Sequence, residues 1–249
     1  MSTLPVTAVM LAGGMGSRLY PYTAFIPKPL VPIDKEAIAE VILQQLAHHG
    51  VQRVIVSIGH LGHLIEAVLG DGQRYGLELL YQREQEPLGT VGPLALFADQ
   101  LPENFLVLNG DVLADLDFTA LRQAHAASGH TLTVATYVRE VRSEFGVLET
   151  DSRGQVTAFK EKPAIHHQVS MGIYAMNRRV LSYFQPSQRF GFDHLVLAML
   201  ERRDPIGTFD WRHGRWLDIG RPLDYAEAQE TFRRDRAIYL PWEKGLAGE

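Results

Sequence analysis

The residues with the clearest capacity for chemistry lie near the start of the chain, in the stretch LAGGMGSRLYPYTAFIPKPL. Glycines at positions 13, 14 and 16 precede Arg18, and Lys28 stands between two prolines. Glycine lets backbone N–H groups approach phosphate oxygens closely, and the two cations can neutralise the charge of those oxygens. We expect the prolines to hold Lys28 in an extended backbone. The stretch predicts a loop that wraps a polyphosphate, although the glycines taken alone also fit a simple tight turn.

This loop differs from both common nucleotide-binding loops. The stretch lacks the last glycine of the dinucleotide fingerprint G-x-G-x-x-G, because Gly16 is followed by Ser17, Arg18 and Leu19. The P-loop pattern also fails, since no Lys-Ser or Lys-Thr pair follows the glycines. A polyphosphate loop of another kind is therefore expected.

The composition limits what such a loop can bind. The 249 residues carry a net charge of −5, so the protein as a whole does not attract nucleic acid. A polyanionic ligand then depends on a local cluster of cations or on a metal ion. Cysteine is absent, which excludes disulfides, thiolate nucleophiles and Cys-ligated zinc and fits a reducing compartment.

The sequence shows no pattern of a membrane span or of a secretory signal. No apolar run approaches the ~18 residues that a span requires. The N-terminus MSTLPVTAVMLAGG lacks a basic segment followed by a long apolar one. We therefore predict a cytoplasmic protein that binds neither a membrane nor nucleic acid.

The first half of the chain alternates short apolar runs with helical patterns. Predicted strands cover residues 6–14, 51–59, 77–84 and 104–111, and predicted helices cover residues 35–50, 63–72 and 90–100. Such alternation is typical of a doubly wound, mostly parallel sheet, whose ligands bind at the carboxyl ends of the strands.

The second half contains more closely spaced strands. Predicted strands cover residues 130–140, 145–151, 155–163 and 169–177, and predicted helices cover residues 189–204 and 222–236. The sequence DSRG predicts a turn, and the pattern of residues 206–220 predicts a hairpin or paired strands. Because no Pro/Gly/Ser-rich linker separates the two halves, we predict a single domain.

The glycine-rich stretch and six later motifs resemble the sugar-1-phosphate nucleotidylyltransferases, also called nucleotide-sugar pyrophosphorylases. In that family the first motif has the form G-G-x-G-[ST]-R-L-x-P-x-T, followed by P-K-x-[LM]. The later motifs occur here in the family's order: EPLGTVGPL (86–94), LNGDVL (108–113), EFGVLETD (144–151), FKEKP (159–163), SMGIYAM (170–176) and WLDIGRPLDY (216–225).

This resemblance implies a Rossmann-like, doubly wound mixed sheet with helices on both faces and an elaborated sugar-binding lobe. It implies transfer of a nucleotidyl group from an NTP to a sugar-1-phosphate, release of pyrophosphate and a requirement for Mg²⁺. Within residues 1–249, we expect 1–115 to bind mainly the nucleotide, 116–235 mainly the sugar phosphate, and 236–249 to form a tail. Assembly of identical chains is left open.

The resemblance also assigns roles to individual residues. Arg18 would bind the β- and γ-phosphates and Lys28 the α-phosphate, as the catalytic cations. Asp111 and Asp218 would hold Mg²⁺, which usually takes one or two carboxylates together with phosphate oxygens. The residues expected to bind the nucleotide are Leu11, Ala12, Gly13, Gly14, Gly16, Ser17, Glu86, Pro87, Gly89 and Thr90. Those expected to bind the acceptor are Asn109, Gly146, Glu161, Lys162, Ser170 and Gly172.

The identity of both substrates stays open at this point. The motifs are closest to those of mannose- and heptose-1-phosphate guanylyltransferases, which favours GTP over UTP and CTP. Ser170 stands where members of the family commonly have an Asn that binds the sugar. Ser17 and Arg221 each stand where members of the family often have Thr. Glu161 and Lys162 also fit the solvated edge of a hairpin.

Two other classes of function share this fold. One is a catalytically silent subunit that binds a nucleotide sugar, which need not retain both catalytic cations and the pair of aspartates. The other is a glycosyltransferase, which usually shows D-x-D after the fourth strand, where this chain has GDVLAD.

Overall fold

The structure, a computed structural model, describes residues 5–217 and 219–245. In chain order the strands of this part are β1 (Thr7–Ala12), β2 (Pro32–Ile33), β3 (Glu36–Ala37), β4 (Arg53–Ile58), β5 (Glu78–Arg83), β6 (Asn104–Asn109), β7 (Leu113–Ala114), β8 (Leu132–Arg142), β9 (Val147–Thr150), β10 (Val156–Lys160), β11 (Ala164–Asn177), β12 (Ile206–Asp210) and β13 (Trp216–Leu217). The α-helices are α1 (Ile38–His48), α2 (Gly62–Leu69), α3 (Phe118–Ser128), α4 (Phe192–Arg202) and α5 (Pro222–Tyr239). Short 3₁₀ helices cover Ser17–Leu19, Tyr22–Ala24, Lys28–Leu30, Gln73–Tyr75, Gly92–Gln100, Arg178–Tyr183 and Pro241–Gly245. None of these helices has the length and apolar character needed to cross a bilayer.

Seven strands form one central sheet in the order β12-β8-β11-β6-β1-β4-β5. Strand β1 pairs in parallel with β4 and β6, β4 pairs in parallel with β5, and β8 pairs in parallel with β12. Strand β11 runs antiparallel to both β6 and β8. After β1 the chain adds β4 and β5 on one side and then places β6 on the other. This reversal at β1 and β6 opens a crevice at the carboxyl ends of the two strands.

Apolar side chains cover both faces of the sheet. In β1, Met10 belongs to a core cluster that includes Ile42 of α1 and Phe232 of α5. The preceding residue, Val9, belongs to a second core cluster that includes Leu195 of α4. Successive residues of a strand point to opposite faces, so the helices form a layer on each side. Full burial of one large apolar side chain contributes roughly 1.5–3 kcal/mol to the stability of the fold. The sheet with a layer of helices on each face confirms the predicted fold class.

Helix α1 follows its sequence pattern closely. Ile38, Ile42 and Leu46 lie one turn apart and are all buried against the sheet. The N–H of Ala37 donates to the Glu40 carboxylate at 2.8 Å, which satisfies a donor at the start of the helix. Gly50 adopts φ 75°, a left-handed conformation that lets the chain leave the helix. The predicted helix is confirmed, although residues 36–37 form strand β3 rather than its first turn.

Three features differ from the sequence predictions. The two strands β12 and β13, predicted as a hairpin or paired strands, do not pair with each other, because β12 pairs with β8 at the edge of the central sheet and β13 pairs with β7. Within the predicted helix 90–100, residues Gly92–Gln100 form a 3₁₀ helix that is interrupted by non-helical backbone at Phe97. Helix α3 was not predicted; it begins where the Asp117 side chain accepts a hydrogen bond from the N–H of Ala120 at 2.8 Å.

Strands β9 and β10 form a separate antiparallel hairpin. The turn that joins them is closed by the Gly154 N–H, which donates to the Asp151 carbonyl at 3.1 Å. The Asp151 carboxylate also accepts a hydrogen bond from the Arg153 N–H at 2.8 Å. The turn predicted from DSRG is therefore confirmed.

Candidate active site

The crevice at the ends of β1 and β6 contains a cavity of about 430 Å³. Leu11 of β1 lies beside Asn109 of β6, so the segments that follow the two strands face the same space. The cavity is lined by Leu11, Ala12, Gly13, Gly14, Gly16, Ser17, Pro87, Gly89 and Thr90, together with Arg18, Lys28, Asn109 and Asp111. Glu86 is exposed and is not part of this lining.

A second cavity of about 290 Å³ adjoins the first. The two cavities share four lining residues, Arg18, Lys28, Asn109 and Asp111. The second is also lined by Ser170, Gly172, Tyr174, Phe192 and Trp216. Two ligands held in these cavities would meet at the shared cations and carboxylate. We refer to the first as the nucleotide cavity and to the second as the acceptor cavity.

The glycine loop packs directly against the segment that carries Lys28. Gly16 has φ +62°, and a Cβ at this position would lie 3.0 Å from Thr23 Cγ2 and 3.1 Å from Lys28 Cβ. The hydroxyl of Thr23 donates to the Gly16 carbonyl at 2.9 Å. Both the backbone conformation and the close approach therefore require glycine here.

Lys28 does not have the extended backbone that the flanking prolines led us to expect. It begins a 3₁₀ turn in which the Leu30 N–H donates to the Pro27 carbonyl at 2.8 Å. This turn directs the side chain inwards, where only 12% of it is exposed. Its ammonium group forms a hydrogen-bonded ion pair with the carboxylate of Asp111, whose side chain is 28% exposed. The structure thus brings the predicted catalytic lysine against a predicted metal ligand.

Arg18 is held differently. It follows the glycine loop in the 3₁₀ helix Ser17–Leu19, and its side chain is exposed at the border of the two cavities. In the described part of the chain it forms no ion pair and no side-chain hydrogen bond. Since a guanidinium carries five donors in a planar fork, Arg18 is available to bind phosphate oxygens.

Glu84, which was not among the predicted site residues, lines the nucleotide cavity. One carboxylate oxygen accepts a hydrogen bond from the Ser57 hydroxyl at 2.9 Å, and the other accepts one from the Leu88 N–H at 3.1 Å. A Cβ on Gly13 would lie 2.5 Å from the same carboxylate. Glu84 comes directly after β5, at the ligand-binding edge of the sheet. Its position at the end of a predicted strand could have indicated a site residue from the sequence alone.

An irregularity in β11 shapes the acceptor cavity. The pairing with β8 shifts between Ser170 and Tyr174, and Gly172 inside this bulge has φ +76°. A Cβ on Gly172 would lie 2.6 Å from the side-chain amide of Asn109. The bulge lets both Ser170 and Tyr174 line the cavity. Burial raises the pKa of the Tyr174 phenol, so this hydroxyl remains protonated at neutral pH.

Three of the predicted acceptor-binding residues lie elsewhere. Gly146, Glu161 and Lys162 belong to the segments that flank β9 and β10, and none of them lines either cavity. Gly146 lies beside the ring of Phe159, which a Cβ would approach to 2.5 Å. Lys162 is exposed and has φ 45°. Their role in binding the acceptor stays a prediction.

The predicted metal site is described only in part. Asp218 lies outside the described residues. Within residues 5–217 and 219–245, no group of three or more His, Cys, Asp or Glu side chains could hold a metal ion. Mg²⁺ keeps water ligands and usually takes only one or two carboxylates plus phosphate oxygens. The Asp111 carboxylate, placed at the junction of the two cavities, fits that requirement.

Comparison with known proteins identifies the family to which the chain belongs. The sequence model of the family described as "Nucleotidyl transferase" matches residues 7–235. The chain is 32% identical over 240 residues to a UTP–glucose-1-phosphate uridylyltransferase of Synechocystis, covering 89% of this chain and 62% of the relative. It is 34% identical over 224 residues to a mannose-1-phosphate guanylyltransferase catalytic subunit beta of Drosophila melanogaster, covering 88% and 60%. The chain thus spans about three fifths of the length of these relatives.

Two solved structures have a similar fold. HddC of Yersinia pseudotuberculosis superposes with a TM-score of 0.69 at 27% identity, covering 91% of this chain and 99% of HddC. A putative glucose-1-phosphate thymidylyltransferase of Bacillus anthracis gives a TM-score of 0.73 at 24% identity, with 92% and 95% coverage, and shares the fold. Since the family model spans nearly the whole described chain, the protein belongs to the nucleotidyl transferase family.

Proposed function

We propose that this protein transfers a nucleotidyl group from an NTP to a sugar-1-phosphate, forming an NDP-sugar and pyrophosphate. The observation that carries the proposal is the meeting of two cavities at Arg18, Lys28 and Asp111. The nucleotide cavity is lined mainly by residues before 112 and the acceptor cavity mainly by later ones, which supports the predicted division of the domain. We place the reaction in the cytoplasm, where nucleotides and sugar phosphates are produced.

Charge repulsion is the main obstacle to this reaction. Two unit charges 4 Å apart repel by about 4 kcal/mol at an effective dielectric constant of ~20, and several such pairs approach together. Positioning and charge neutralisation are therefore the main catalytic tasks, and no protein nucleophile is needed. An oxygen of the sugar phosphate attacks the α-phosphorus in line, and the bond from the α-phosphorus to the bridging oxygen breaks as pyrophosphate leaves.

The site supplies cations to both phosphate groups. We place Lys28 on the α-phosphate, because its largely buried ammonium is already oriented by Asp111 at the junction of the cavities. Arg18, which is exposed and has no ion-pair partner among the described residues, would bind the β- and γ-phosphates and the departing pyrophosphate. The amides of Gly14 and Gly16 would donate to the same phosphate oxygens.

We also propose that Asp111 and Asp218 hold Mg²⁺. Bound there, the ion would neutralise charge between the α-phosphate and the attacking oxygen. The chain's own contribution is to hold the Asp111 carboxylate in place. The ammonium of Lys28 does so, and it balances the carboxylate's charge before a ligand arrives.

Glu84 favours guanine as the base. A carboxylate only accepts hydrogen bonds, and the N1–H and N2–H groups of guanine form two adjacent donors. Uracil presents one N–H between two carbonyl oxygens, and those oxygens would repel the carboxylate. The two curated relatives named above are a uridylyltransferase that uses UTP and a guanylyltransferase, which uses GTP. A related structure of HddC was solved with GMP-PN at 26% identity to this chain.

The acceptor is expected to be a sugar-1-phosphate whose ring lies in the acceptor cavity. Ser170, Asn109 and the backbone at Gly172 line this space and can contact sugar hydroxyls. Glu161 and Lys162 would complete the binding site from the β9–β10 hairpin. The polar lining fits a polyhydroxylated ring better than an apolar acceptor.

A substrate panel tests the proposal. Purified protein with Mg²⁺ is incubated with each of GTP, UTP, CTP, ATP and dTTP in combination with mannose, glucose and heptose 1-phosphates, and pyrophosphate release is measured. We expect release with GTP and at least one sugar phosphate. Faster turnover with UTP would contradict the assignment of the base. Binding of an NDP-sugar without release from any pair would indicate a silent subunit, and sugar transfer from an NDP-sugar would indicate a glycosyltransferase.

A further inference from the structure

The residues just before α4 form backbone hydrogen bonds with the loop that follows Pro87, a residue of the nucleotide cavity. The Phe190 N–H donates to the Leu88 carbonyl at 2.8 Å, and the Val91 and Gly92 N–H groups both donate to the Phe190 carbonyl at 3.1 Å. A Cβ on Gly89 would lie 2.7 Å from the same Phe190 oxygen. Two segments about 100 residues apart in sequence are thus held in direct backbone contact.

One further hydrogen bond joins these segments and involves a side chain. The hydroxyl of Thr90 accepts a hydrogen bond from the N–H of Phe192, the first residue of α4, at 2.7 Å. The first N–H groups of a helix have no partner within the helix, so the hydroxyl satisfies a donor that α4 cannot satisfy itself. Thr90 lines the nucleotide cavity and Phe192 lines the acceptor cavity. This bond therefore connects a wall of one cavity to a wall of the other.

On the acceptor side, the contacts continue from Phe192 across the cavity wall. The Phe192 ring stacks on the ring of Tyr174, with centroids 4.2 Å apart and an interplanar angle of 27°. The hydroxyls of Ser170 and Tyr174 are 3.3 Å apart, and the Gly172 N–H donates to Ser170 at 3.3 Å. Displacement of Phe192 would change the packing of Tyr174 and, through it, the position of Ser170.

We propose that Thr90 is a positioning residue through which a bound nucleotide fixes the aromatic wall of the acceptor cavity, an inference that rests on the function proposed above. A nucleotide held by the loop at Gly89 and Thr90 restrains the Thr90 hydroxyl, and the hydroxyl restrains Phe192. The acceptor then binds to a wall that is already ordered. Such coupling is reciprocal, and couplings between sites typically amount to about 5–150-fold in affinity.

Replacement of the hydroxyl tests the coupling in kinetics. Thr90→Val keeps the shape of the side chain but cannot accept a hydrogen bond, whereas Thr90→Ser can. Initial rates are measured over a full grid of both substrate concentrations, with the best pair from the panel. We expect Thr90→Val to raise the KM for the acceptor at saturating nucleotide about tenfold and to change the dissociation constant of the nucleotide without acceptor by less than about threefold, and we expect Thr90→Ser to restore the acceptor KM. An unchanged acceptor KM, or an equal increase in the dissociation constant of the nucleotide measured without acceptor, would overturn the proposal.

Two further variants separate this role from a general loss of structure. Thr208→Val makes the same substitution at an exposed threonine of β12 that lines neither cavity, so it should leave the acceptor KM unchanged. Phe192→Leu should raise the acceptor KM, and adding Thr90→Val to it should have little further effect. Additive effects of the two substitutions would mean that Thr90 does not act through Phe192.

Amide hydrogen exchange tests the coupling in an experiment that does not depend on catalytic activity. In the wild-type protein, GTP or UTP with Mg²⁺ should slow exchange across residues 190–196, and this protection should be lost in Thr90→Val and kept in Thr90→Ser. Absence of pyrophosphate from every pair in the panel would refute the proposed function alone. Unchanged exchange in the wild type with both nucleotides would refute the coupling, whatever the panel shows.

Discussion

Removal of the Lys28 ammonium is the most direct test of the catalytic site. In Lys28→Ala the nucleotide cavity loses its largely buried cation, and Asp111 loses its ion-pair partner. The first change acts on the reaction, because charge on the α-phosphate is no longer balanced in the transition state. The second change acts on the folded state, because a partly buried carboxylate is left unpaired.

The two effects differ in size. Loss of one preorganised donor to a transition state typically lowers kcat by 10²–10³, or about 2.7–4 kcal/mol. An exposed ion pair contributes ~0–1 kcal/mol, and breaking a fully buried one costs roughly 3–5 kcal/mol. Since the side chain of Asp111 retains 28% of its exposure, we expect an intermediate loss of about 1–3 kcal/mol. For a chain of this length that corresponds to a decrease in Tm of roughly 3–10 °C.

The assay combines pyrophosphate release with thermal denaturation of the same preparations. Activity is measured well below the Tm of the variant, so that the loss of kcat does not reflect unfolding. Lys35→Ala is the matched control, because Lys35 is exposed and lies outside both cavities. A kcat for Lys28→Ala within about threefold of the wild type would refute the placement of Lys28 on the reacting phosphate.

The remaining predictions concern the base, the metal ion and pH. Glu84→Gln, which adds a donor to a side chain that only accepts, should lower kcat/KM with GTP at least about tenfold and raise it with UTP; an unchanged GTP-to-UTP ratio would mean that Glu84 does not contact the base. Asp111→Asn should raise the Mg²⁺ concentration for half-maximal pyrophosphate release about tenfold or more, whereas Asp99→Asn, at a fully exposed carboxylate, should not. Burial lowers the pKa of His125 in the folded protein below its ordinary value of 6.5. As the pH falls through 6.5, the unfolded chain therefore binds more protons than the folded one, and the free energy of unfolding decreases. In denaturant titrations between about pH 7.5 and 5.5, His125→Gln should reduce this loss and the exposed-site variant His213→Gln should not; equal pH dependence in all three proteins would contradict the assignment.

The sequence by itself determined the elements whose properties are local. The apolar run of β1 and the one-turn spacing of Ile38 and Ile42 in α1 reflect the period of each backbone conformation. The glycine loop could be recognised because a close backbone approach limits the residue type. Parallel strands end at the same edge of a sheet, so Asn109 and Asp111 could be expected near the loop before the fold was known.

Only the tertiary structure decided which distant residues meet. Lys28 and Asp111 are 83 positions apart, and Thr90 and Phe192 are 102 apart. The separate pairing of β12 and β13 and the bulge at Gly172 depend on strand order and register over the whole sheet. The period of apolar residues indicates which face of an element is buried, but it carries no information about the partner of that face. Contacts between segments so far apart depend on the path of the complete chain, and for this reason the ion pair and the link between the two cavities could not be read from local patterns.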